Sequence, residues 1–108
     1  MRTAITALLG CLLVAGAANA TQEKDARDQA VKICRTQKAV VPPDQWNKGP
    51  CLSNSTETLP DWVVDVAHVP RQAVDEQVTN QCSMYTDPKV KGFIEVDTEC
   101  RVIRAARK

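Results

Sequence analysis

The chain is poor in the side chains that most active sites and deep cores use: one histidine, one phenylalanine, one tyrosine and four glycines among 108 residues. Few large aromatics in so short a chain exclude the self-sufficient core of a multidomain cytosolic enzyme. Beyond the first twenty residues glycine stands only at positions 49 and 92, so no glycine-rich loop can cradle a phosphate. Neither G-x-S-x-G nor H-E-x-x-H occurs, and no C-x-x-C pair offers zinc its usual spacing. No internal repeat or low-complexity tract is present. Charge of one sign is lacking as well. With Arg2 set aside, thirteen basic and thirteen acidic side chains balance, and this gives no footprint for nucleic acid.

What is present begins with an export signal. Arg2 supplies a positive start, Ala4 to Ala17 an apolar run, and Ala18-Asn19-Ala20 a small-x-small cleavage site, the pattern of a secretory leader spanning residues 1–20. The run is short for a membrane span and the sequence turns highly charged after Thr21, so no transmembrane segment is expected after cleavage. A second reading takes Leu8-Leu9-Gly10-Cys11 as a lipoprotein box, but the apolar stretch Leu12–Ala18 would then follow the anchor. Residues 21–108 are expected to form one small domain in a secreted or periplasmic setting.

Cys34, Cys51, Cys82 and Cys100 remain in that domain, an even number expected to be oxidised in an exported chain. Four cysteines admit three connectivities. The favoured one joins neighbours, Cys34 with Cys51 and Cys82 with Cys100, and each bridge would contribute about 3 kcal/mol by restricting the unfolded chain. No metal or other cofactor is implied.

Ala26, Ala30, Ile33 and Cys34 recur at helical spacing and predict a helix from about Gln22 to Lys38, with acids early and bases late. Pro42 and Pro43 end it. Val40 to Pro60 reads as an irregular connection tethered by Cys51, with Trp46 folded over the core as a lid. The sequon Asn54-Ser55-Thr56 is taken as incidental. Trp62 to Val69 reads as a central strand, apolar on both faces, and Pro70 stops it. On that strand Asp65 needs a hydrogen-bond donor, either an arginine or a backbone N–H, and His68 reads as a hydrogen-bonded structural residue.

Arg71 to Tyr85 reads as a polar loop with one helical turn near Gln72–Gln77, pinned by Cys82. Such loops carry recognition residues, so Arg71, Asp75, Asn80, Gln81 and Tyr85 form the candidate contact surface. Phe93 to Ile103 predicts a hairpin with a three-residue loop, Asp97-Thr98-Glu99, which sets Val96 opposite Cys100, Ile94 opposite Val102, Glu95 opposite Arg101 and Phe93 opposite Ile103. Arg101, Arg104, Arg107 and Lys108 close the chain with no acid among them, a solvated end or a contact for an acidic partner.

These elements predict an α+β domain, one helix packed on a small, mainly antiparallel sheet of three or four strands and stapled by disulfides. The function that fits is a noncatalytic binding or inhibitor-like module acting on a protein or an envelope component. The alternative is a small secreted nuclease-like hydrolase in which His68 works with Asp65 or Glu95, assisted by Arg101 or Arg104.

Overall fold

Helix α1 (Glu23–Lys38) is the first element of the computed structural model, which describes residues 22–108. The expected leader, its cleavage site and Cys11 lie outside the described residues. Ala26, Ala30 and Cys34 are buried along one stripe, as their spacing requires. Glu23 and Asp25 in the first turn and Arg35 and Lys38 in the last oppose the helix dipole. The turn beyond Lys38 closes through Ala39 N–H to the Arg35 carbonyl and Val41 N–H to that of Gln37. Pro43 then serves as first residue of a single-turn helix, α2 (Pro43–Trp46).

Four strands follow: β1 (Cys51–Asn54), β2 (Trp62–Val66), β3 (Gly92–Val96) and β4 (Val102–Arg107). They form one sheet in the order β1-β2-β3-β4. The outer pairings are antiparallel and the central β2–β3 pairing is parallel, so the sheet is mixed. A parallel neighbour requires a long crossover. Residues 67–91 supply it, through three 3₁₀ turns, Ala73–Glu76, Val78–Asn80 and Ser83–Thr86.

The alternation read in β2 holds, and it divides the molecule. Trp62, Val64 and Val66 join Ile94, Val96, Leu52 and Leu59 beneath Ala26, Ala30 and Cys34 of α1. Val63 belongs instead to a smaller cluster with Cys82 and Val90, flanked by Cys51, Met84 and Phe93, on the opposite face. Each large aliphatic side chain so buried contributes about 1.5–3 kcal/mol. Trp46 closes the helix-side core, buried and donating its indole N–H to the Thr98 carbonyl at 3.1 Å.

The favoured disulfide connectivity is corrected: the bridges are Cys34–Cys100 and Cys51–Cys82. The sheet is the reason. Cys34 faces it from α1, on the side where the β3–β4 turn carries Cys100, and these two cysteines share one core cluster. Cys51, paired with Asp65 across β1–β2, packs on the other side with Cys82. Proximity in sequence is overruled by the sheet lying between the near neighbours.

The hairpin register differs too. Val96 pairs with Val102, but Glu95 pairs with Arg104, Ile94 with Ala105 and Phe93 with Ala106, leaving Ile103 as an extra residue in β4. The cause lies in the turn. Asp97 Oδ1 accepts the N–H groups of Glu99 and Arg101, each at 2.9 Å, while Oδ2 accepts Arg101 Nε at 2.9 Å. This five-residue turn holds Cys100 at φ 64° and presents its sulfur to Cys34 instead of continuing the ladder. Arg101 consequently pairs with Asp97, not Glu95.

The span read as irregular, Val40 to Pro60, contains α2 and the edge strand β1. Gln37 on α1 donates to the Leu52 carbonyl at 2.6 Å, tying helix to strand. The β2 strand is shorter than the expected Trp62–Val69, because His68 N–H leaves the ladder for Asp75 Oδ2 at 3.0 Å. Gly49 makes the close approach on which this corner depends. Its φ is +70°, and a Cβ there would stand 2.8 Å from both Asp75 Oδ1 and the Val66 carbonyl oxygen.

Candidate functional site

Parallel pairing sets Asp65 of β2 directly beside Glu95 of β3, on the face opposite α1. Two residues earlier Val63 is paired with Phe93 in the same register, so each strand offers an apolar residue followed by an acid on that face. The crossover and β4 wall this surface into a cleft of about 160 Å³, lined by Val63, Asp65, Arg71, Gln81, Cys82, Tyr85, Phe93, Glu95 and Arg104. Disulfide Cys51–Cys82 fixes the crossover wall to the edge strand. Asn54 reinforces that tie, donating to Ser83 Oγ at 2.8 Å and accepting the Met84 N–H at 2.8 Å.

Charge in the cleft is ordered. Glu95 is buried and lies between two guanidinium groups, with Arg71 Nη1 2.8 Å from Oε2 and Arg104 Nε 3.3 Å from Oε1. Arg71 also reaches Glu76 Oε1 through Nε at 2.6 Å, and its guanidinium is held firmly protonated, first by Glu76 and then by Glu95. Asp65 is treated differently. Its Oδ1 accepts the Val66 N–H at 3.0 Å, and among the described residues no cation donates to it. Burial pushes this carboxyl from its ordinary 3.8 up to about 7, with Glu95 and Asp75 adding to the rise while Val66 N–H and Arg71 oppose it.

The aromatic walls carry cations of the chain itself. Tyr85 meets Phe93 edge-on at 5.5 Å, Arg104 stands 5.1 Å over the Phe93 ring, and Lys108 stands 5.2 Å over that of Tyr85. Lys108 is anchored there by the Tyr85 and Asp87 carbonyls.

Of the five expected contact residues, Arg71, Gln81 and Tyr85 line the cleft. The other two hold the crossover in shape. Asp75 is buried and accepts the N–H groups of His68 and Gln72 on Oδ2, at 3.0 and 2.8 Å, and His68 Nδ1 on Oδ1 at 2.9 Å. Burial alone would raise its pKa, but Gln72 N–H and the two groups of His68 outweigh it and hold the carboxyl below the ordinary value. Asn80 donates to the Val74 carbonyl at 3.1 Å. His68, hydrogen-bonded as expected, does not line the cleft.

The acids of the cleft were missed as a pair because nothing in the sequence announces a parallel neighbour. The one available signal is the matching order of Val63-Val64-Asp65-Val66 and Phe93-Ile94-Glu95-Val96. A larger hollow of about 420 Å³ lies between α1 and β1, lined by hydroxyl, amide and aliphatic groups with Lys32 the single charge. Chemistry concentrates in the smaller cleft. Among the described residues no group of three or more His, Cys, Asp or Glu could hold a metal, and no helix is long and apolar enough to cross a membrane. Comparison with known protein families, curated proteins and solved structures finds no match to this chain.

Proposed function

We propose that the protein is an exported, noncatalytic binding module, inhibitor-like in build, that engages a protein or envelope component through the cleft beside Asp65 and Glu95. The observation that carries this reading is the convergence of Arg71, Gln81 and Tyr85 with a paired-acid surface, on a crossover fixed by its own disulfide. A recognition loop held rigid loses less entropy when it binds. Two disulfides support an oxidising setting, whether periplasmic or extracellular.

The hydrolase alternative needs His68, a carboxylate and the C-terminal arginines in one place. Instead His68 is paired with buried Asp75, Arg101 with Asp97, and Arg104 with Glu95. The test is affinity capture from an envelope extract with the oxidised protein as bait, run beside Arg71→Ala, Tyr85→Ala and Lys24→Ala. A partner retained by the wild type and Lys24→Ala but lost by both cleft variants supports the module. A partner held equally by all four, or substrate hydrolysis abolished by His68→Ala, reverses the assignment.

A further inference from the structure

Two carboxylates, Asp65 and Glu95, and two guanidiniums, Arg71 and Arg104, line the cleft, and their pairing leaves one acid without a direct partner. Glu95 takes both Arg71 and Arg104, and Glu76 takes Arg71 a second time. Asp65 takes neither; among the described residues its carboxylate accepts from the Val66 backbone N–H. The other charged groups around it do not supply the missing cation. Asp75 lies beneath the crossover paired with His68, and Lys108 is fixed over Tyr85.

Resting on the reading of this face as a binding surface, we infer that the cleft receives a single cationic group, an alkylammonium or guanidinium, whose charge sits against Asp65. The hydrocarbon stem of the ligand would lie along Val63, Cys82 and Phe93, and the volume of about 160 Å³ admits one such group and not a bulky ligand. An anion fits less well: it would join two carboxylates while the two guanidiniums are already engaged with Glu95. Without a ligand Asp65 carries a proton, the state that its burial favours near and below pH 7. Binding therefore exchanges a proton for the cation. The proton comes from the Asp65 carboxyl and leaves to solvent, so affinity rises with pH as Asp65 ionises.

The test titrates the oxidised full chain, at constant ionic strength, with n-butylammonium, methylguanidinium, a lysine- or arginine-centred tripeptide, and acetate, following amide and side-chain NMR shifts of Val63, Gln81 and Phe93. The cations should move these signals, and their apparent affinity should rise about tenfold from pH 6 to pH 8, as a group titrating near 7 goes from about one-tenth to about nine-tenths ionised. Asp65→Asn should abolish the response at both pH values while the rest of its spectrum stays that of a folded chain. A tripeptide at least tenfold tighter than its free cation assigns the source to a protein side chain; equal affinities assign it to a free amine. Cleft shifts with acetate alone overturn the cation and leave the binding face standing. Cation shifts that are independent of pH, or unchanged in Asp65→Asn, also overturn it. No response to any probe, with the captured partner equally indifferent to the cleft variants, overturns both inference and module.

Discussion

The two faces of the sheet are built from the same strands and covered in opposite ways. On one side α1 lays a stripe of alanines over Trp62, Val64, Val66, Ile94 and Val96, and Cys34–Cys100 locks helix to turn. On the other, a crossover of 3₁₀ turns lies over Val63, Asp65, Phe93 and Glu95, and Cys51–Cys82 locks it to the edge strand. The first face is apolar and supplies stability. The second spends part of that stability on a half-buried acid and a web of ion pairs. The division of labour follows from strand alternation: one register places hydrocarbon on one side and carboxylates on the other.

Breaking the bridges gives the largest expected effect. The double variant Cys34→Ala/Cys100→Ala should lose about 4 kcal/mol by chain entropy and Cys51→Ala/Cys82→Ala slightly less, both read by denaturant unfolding. Only the second should also lose the Tyr85–Phe93 contact, seen as a change in near-ultraviolet dichroism of the folded state. The reverse outcome would invert the roles of the two faces.

Asp75→Asn should come next, at about 2–3 kcal/mol, since an amide cannot accept from all the donors that converge on a carboxylate. Asp75 and Asp97 both sit below the ordinary value, so their contribution is present above about pH 4 and is lost as pH falls through their folded pKa values. Asp75→Asn should therefore show a shallower loss of stability in acid than the wild type.

Asp65→Asn should have the opposite sign. The unfolded carboxyl ionises near 4 and the folded one near 7, so between these values the native state binds more protons and stability falls as pH rises. After discounting for partial exposure, the amide should stabilise the fold by about 1–2 kcal/mol at pH 8 and leave it unchanged at pH 4. Equal effects at the two pH values would remove the distinction drawn for this face. Smallest of all is Lys38→Ala, which removes the exposed 3.1 Å pair with Glu99 and should cost less than about 0.5 kcal/mol in thermal unfolding.

The helix face was legible in the sequence because periodicity there expresses burial directly. Ala26, Ala30 and Cys34, and the alternation from Trp62 to Val66, each declare which side is inward. Trp46 also fills the place expected of it, as a lid. The crossover face was legible only in its parts. Arg71, Gln81 and Tyr85 could be chosen for chemistry and loop position, but Asp65 meets Glu95 through a parallel pairing twenty-five residues of crossover apart, which local pattern does not encode. The edge strand β1 escaped notice because four residues, half of them polar, carry little periodicity. The β4 register depended on side-chain capping by Asp97, a carboxylate that reads from sequence only as part of a turn.

The nesting of the two bridges bears on how the fold withstands a cut in its backbone. The Cys51–Cys82 loop is nested inside the span from Cys34 to Cys100. Backbone scission anywhere within that span, including a proteolytic nick in the exposed crossover, leaves both fragments covalently joined. Had neighbouring cysteines been joined instead, a cut between Leu52 and Gln81 would have released two separate halves. A nicked molecule of this protein keeps its pieces together.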